Sequence, residues 1–74
     1  MEVKIGVRDI AGQVVLESES SPDDVAKDVR EAVTSGSVLE LTDEKGRLIM
    51  VPGSLIGYVE IGPQIERRVG FGTV

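Results

Sequence analysis

The chain has 74 residues with a formal net charge of -5, no Cys, no His and no Trp, which is the size of one small domain with no room for a second core. A domain this small buries only about 60% of the surface its unfolded chain exposes, and such a core rarely leaves more than ~3–5 kcal/mol of net stability. The composition removes disulfides and Cys or His zinc sites as staples, together with the commonest general base and the best thiol nucleophile. Self-association remains as a means of stabilisation.

Residues 1–8 alternate, with Val3, Ile5 and Val7 on one side and Glu2, Lys4, Gly6 and Arg8 on the other, as in a half-buried strand. Asp9-Ile10-Ala11-Gly12 is a turn, and Gln13–Glu17 is the returning strand of a first hairpin. Ser21-Pro22-Asp23-Asp24 then starts a helix: Ser21 can cap, Pro22 suits the first helical position, and two acids suit the positive end of the dipole. Val25, Val29 and Val33, flanked by Ala26 and Ala32, form the predicted apolar stripe. Gly36 supplies the stop.

Val38–Gly62 holds three strand-like runs. Leu39 and Leu41 point one way from Val38–Thr42, Asp43-Glu44-Lys45-Gly46 turns the chain, and Arg47–Val51 returns, with Gly46 suited to a left-handed position after the turn. Pro52 ends the strand because it has no N–H for a ladder. Ile56–Ile61 is the next strand, favoured by Ile56, Tyr58, Val59 and Ile61. Residues 63–74 are read as a last short strand through Val69 and Phe71 or as a tail.

The order β-β-α-β-β-β predicts a single α+β domain over 1–74, a mostly antiparallel sheet of four to six strands with one helix across one face. The order of elements is that of the β-grasp, and the helical connection leaves room for one parallel pair. The expected docking face for the helix is Val3, Ile5, Leu16, Leu39, Leu41, Val59 and Ile61.

Four blocks, MEVKIGV at the start, LTDEKGR at 41–47 followed by Val51-Pro52, YVEIG at 58–62 and RRVGFG at 67–72, together resemble a small family of uncharacterised actinobacterial proteins of about this length. The resemblance implies a domain of unknown function, some members of which are labelled ATP-binding. It implies no catalytic residues.

Functionally the sequence points to a non-enzyme. The acid pairs Asp23-Asp24 and Asp43-Glu44 sit at a helix start and in a turn, where acids are common for structural reasons. No Gly-rich turn ending in Gly-Lys-Ser/Thr precedes the helix, and Gly70-Phe71-Gly72 precedes none, so nucleotide binding is an alternative without a motif. The acidic balance disfavours nucleic acid and anionic membranes, and no apolar run reaches the ~20 residues of a membrane span. The expected location is the cytoplasm, and no cofactor or metal is expected. The ending Gly72-Thr73-Val74 does not offer the terminal Gly-Gly of ubiquitin-like carriers.

The leading reading is a protein-binding or adaptor module acting through an exposed sheet face. Leu48-Ile49-Met50-Val51 is apolar throughout, so two of its side chains must leave the helix-covered face. The expectation is that Leu48 and Met50 face the helix, while Ile49, Val51 and Tyr58 form an outward patch for a protein partner or a homodimer, the alternative being that Ile65, Val69 and Phe71 fold back over that patch. Arg67 and Arg68 with Phe71 are the other contact candidates, for an acidic partner or, in a further alternative, for a nucleic-acid-associated regulator.

Overall fold

A computed structural model describes residues 1–63. The order is β1 (Glu2–Val7), β2 (Gln13–Glu17), α1 (Pro22–Ser35), β3 (Val38–Thr42), β4 (Leu48–Pro52), a 3-10 turn (Gly53–Leu55) and β5 (Ile56–Ile61), the β-β-α-β-β-β sequence expected. The suggested last strand through Val69 and Phe71, the alternative fold-back of Ile65, Val69 and Phe71, and the candidates Arg67, Arg68 and Phe71 lie outside the described residues.

The five strands form two sheets, β2-β1-β5 and β3-β4, and every pair is antiparallel. The parallel pair that a helical crossover permits is not formed among the described residues. Instead, a tight 3-10 turn carries the chain from the end of β4 directly into β5, which returns alongside β1. A register shift at Gly6/Val7 leaves Gly57 without a partner opposite β1, a bulge at a position that needs no side chain for packing.

α1 begins as its residues dictate. The Ser21 hydroxyl accepts the Asp24 N–H at 3.1 Å, Pro22 stands in the first turn, and Gly36 at φ 76° closes the helix with its N–H on the Ala32 carbonyl. Val25 and Ala32 are buried, with Val29 partly buried beside them. Val33 departs from the expected stripe and is 50% exposed. Eight residues beyond Val25, it has rotated some 80° from it at 3.6 residues per turn, and the small Ala32 takes the inward position.

The helix, the three-stranded sheet and the hairpin share one core. Val3, Ile5 and Leu16 come from the sheet, Leu39, Leu41 and Val51 from the hairpin, and Val59 and Ile61 pack against them partly buried. The expected docking face is therefore the inner surface of two sheets. The tip of the hairpin is joined to the sheet by the Glu44 N–H, which reaches the Glu17 carbonyl at 3.0 Å, while the Arg8 N–H, 2.8 Å from the Leu55 carbonyl, ties the end of β1 to the 3-10 turn that leads into β5. At the helix end, the Gly53 N–H donates to the Ser37 carbonyl at 2.8 Å, and a Cβ on Gly53 would run into the backbone carbonyls of Ala32 and Ser37. That close approach is why Gly stands there.

Val25→Asp places an unpaired charge in this core and is expected to cost about 3 kcal/mol or more, enough to unfold the domain, whereas Val33→Asp is expected to stay within about 0.5 kcal/mol of the parent. Urea denaturation of both variants checks the stripe. Equal losses would place Val33 in the core.

Candidate interaction surface

The turn at the tip of β3–β4 fixes what the hairpin shows to solvent. Asp43 follows β3, and its side chain bends back over the turn: Oδ1 accepts the N–H of Lys45 at 2.9 Å and of Arg47 at 2.7 Å, while Oδ2 accepts Arg47 Nε at 2.8 Å. The Gly46 N–H closes the turn on the Asp43 carbonyl at 3.0 Å, with Gly46 at φ 83°, the left-handed position expected for Gly. Burial pushes the Asp43 carboxyl up, and the bonds from Arg47 and Lys45 push it down. The bonds prevail, so it titrates below the ordinary aspartate value.

With this turn in place Leu41 pairs with Ile49 and Leu39 with Val51. Directly opposed residues share a face, so Ile49 and Val51 follow the two leucines inward. Val51 is 5% exposed and Ile49 packs on the core. The expectation that Ile49 and Val51 form the outward patch is thus corrected: Leu48, at 57% exposure, and Met50, at 56%, point outward in their place. Val38, opposite Pro52, joins them on the same face. Glu40 and Thr42, paired with Met50 and Leu48, supply its polar border.

Tyr58 is half exposed, as expected, but it belongs to a different surface. It lies on the outer face of the three-stranded sheet, where Gly6 pairs with Gln13 on one side and Tyr58 on the other. The ring crosses β1 over Gly6, where any Cβ would strike it, and its hydroxyl oxygen accepts a hydrogen bond from Gln13 Nε2. Around it stand Glu2, Lys4, Gln13, Glu17 and Glu60, with Glu2 and Lys4 forming an ion pair at 3.8 Å. Val15, opposite Lys4 and half exposed, is the apolar exception on a face that is otherwise polar apart from the Tyr58 ring.

The remaining acid pairs have structural roles. Asp23 and Asp24 lie in the first turn of α1, and Asp43 is engaged on both oxygens while Glu44 is exposed. Among the described residues no three acidic, Cys or His side chains group as a metal would require, and every buried side-chain polar atom has a hydrogen-bond partner.

The depressed Asp43 carboxyl makes a pH prediction. A carboxyl whose folded value lies below its unfolded value, about 3.9, contributes stability that is present above the unfolded value and lost as pH falls through the folded one. Asp43→Asn is therefore expected to lower the melting temperature at pH 7 and to lose part of that deficit in acid. Thermal melts of parent and variant between pH 7 and pH 2 measure it, and a deficit that does not change with pH would contradict the assignment.

Comparison with known proteins gives a family without a function. No curated protein matches the sequence. The profile of a family described as a protein of unknown function (DUF3107) matches residues 1–72, nearly the whole chain and all four blocks singled out in the sequence. The chain belongs to the DUF3107 family.

Proposed function

We propose that this chain is a non-enzymatic protein-binding or adaptor module whose contact surface is the outward face of β3–β4, formed by Val38, Leu48 and Met50. One observation carries the reading: two large apolar side chains, adjacent on one strand face, are each more than half exposed in a domain whose helix already covers the opposite side. An apolar centre with a polar border is the anatomy of an interaction surface. The engagement of Asp43 in its own turn and the absence of His and Cys support a non-enzymatic role.

We place the module in the cytoplasm of an actinobacterium, on the resemblance and on a Cys-free sequence suited to a reducing compartment. No helix among the described residues is long and apolar enough to cross a membrane. Nucleotide binding is the alternative and rests on the label carried by similar proteins. Against it, the Ser21 hydroxyl already caps α1, and Asp23 and Asp24 set two negative charges where a phosphate would lie. Amide shifts on titration with ATP and magnesium at millimolar concentration would favour it. The nucleic-acid alternative, through Arg67, Arg68 and Phe71, requires binding that weakens steeply as salt rises.

The module reading is tested by identifying the partner through affinity capture and measuring its binding as purified protein. The double variant Val38→Lys/Leu48→Lys is expected to bind at least tenfold more weakly, a loss of ~1.4 kcal/mol or more, with its circular dichroism unchanged. Undiminished binding by the folded variant would reject this face.

A further inference from the structure

Resting on that reading, we propose that β4 also offers its edge to a second copy of this chain, the two β4 strands pairing antiparallel so that two hairpins make one four-stranded sheet. The ladder assigns the edge. The Asp43 N–H bonds the Arg47 carbonyl, the Gly53 N–H bonds the Ser37 carbonyl, and Leu41↔Ile49 and Leu39↔Val51 fall between them in register. Mutual bonds in an antiparallel pair recur at every second residue. The odd-numbered residues of β4 therefore bond to β3, and Leu48, Met50 and Pro52 turn their backbone groups to the free edge. Among the described residues β4 has β3 as its sole ladder partner, and no turn or loop bond reaches those groups.

The chemistry of this edge sets it apart. Exposed edges are ordinarily protected by charge, proline, bulges or a covering element. β3 carries Glu40, with Asp28 and Glu31 along the groove between it and α1. At the end of β2 the Glu17 carbonyl already accepts the Glu44 N–H, and β5 carries Glu60 and the Gly57 bulge. β4 reads Leu-Ile-Met-Val-Pro, with no charge and protection only at its last residue.

A row of strand donors and acceptors is satisfied by another strand, and this one complements itself. About a two-fold axis at Met50, each Met50 exchanges both its bonds with its counterpart, and each Leu48 N–H meets the carbonyl of the other copy's Pro52. The missing N–H of Pro52 falls at the outer end of the ladder. Apolar side chains face apolar side chains, which stabilises cross-strand neighbours. Although each chain carries -5, the nearest acid of the ribbon, Glu40, sits on β3. Two copies would hold their Glu40 residues three strand spacings apart, ~14 Å, beyond the ~8 Å screening length at physiological ionic strength.

Sedimentation of the 74-residue chain over a concentration series is expected to show a reversible monomer–dimer equilibrium that tightens as salt rises, because screening relieves repulsion between two acidic chains. Met50→Pro removes an edge N–H without touching the β3 ladder and is expected to abolish the dimer. In the parent itself, independent of any variant, exchange protection of the Leu48 and Met50 amides is expected at high concentration and lost on dilution. A strict monomer, a dimer that survives Met50→Pro, one that weakens with salt, or fast exchange of both amides in the dimer would overturn edge pairing. Because the outward face and the edge are separate surfaces, a monomer that still binds its partner through Val38 and Leu48 rejects this inference alone. A dimer whose Val38→Lys/Leu48→Lys form binds the partner normally rejects the wider reading.

Discussion

The outward chemistry of this domain depends on the register of one hairpin. Because strand side chains alternate with a period of two, a slip of one residue between β3 and β4 would send Leu48 and Met50 into the core and expel Ile49 and Val51. The Asp43 carboxylate opposes that slip. It holds the N–H groups of Lys45 and Arg47 together with the Arg47 side chain, so the turn has one length and the strand leaving it one phase. The same tip delivers the Glu44 N–H to the Glu17 carbonyl, tying the hairpin to the three-stranded sheet. Turn geometry, sheet junction and exposed face are thus consequences of a single buried carboxylate.

Signals confined to a few residues were legible in the sequence. Ser21-Pro22-Asp23-Asp24 and Gly36 bound α1 as their capping chemistry requires, and the alternation of Val3, Ile5 and Leu39, Leu41 identified core positions without reference to neighbours. The phase of β4 was not legible from its own residues, since four consecutive apolar side chains carry no contrast between faces. It was latent in the turn: only the three residues Glu44 to Gly46 separate Asp43 from Arg47, which sets these two opposite each other and hence Ile49 opposite the inward Leu41, whereas counting Asp43 into the turn shifts the phase by one. The division into two sheets was hidden for a different reason. Alternation tells which way a side chain points but not which strand lies beside it, and the Gly53 approach to α1 that carries β4 over into β5 involves backbone atoms with no sequence pattern. The burial of Asp43 was likewise masked, because an acid in a turn is ordinarily a solvated one.

The two outer surfaces make opposite use of their residues. On the three-stranded sheet Tyr58 spans Gly6 to reach Gln13, and the remaining positions are charged except for the half-exposed Val15, so the hydroxyl and ring are already engaged within the chain. On the hairpin nothing comparable covers Leu48 and Met50 among the described residues. An aromatic residue in a strand is a reasonable guess for a hot spot, yet here the aromatic serves as a lid over a glycine and the aliphatic pair carries the open surface. Contact potential follows from what a side chain's neighbours leave uncovered rather than from its type.

That open surface is large relative to the stability of the domain. Fully burying a Leu or Met side chain is worth about 1.5–3 kcal/mol, so leaving both more than half exposed forgoes on the order of 2 kcal/mol, against the ~3–5 kcal/mol that a core of this size supplies. A molecule that covers them binds the folded state and not the unfolded one, and it raises stability by mass action as its concentration exceeds the dissociation constant. The proposed association would therefore be linked to folding through the same few residues. The proposed pairing at the charge-free β4 edge would extend that linkage to the backbone, where a pairing strand satisfies groups that water otherwise must. For a domain with no Cys for a disulfide, and with one helix and no metal-ligand group among its described residues, the proposed association through β3–β4 would supply stability that the small core lacks.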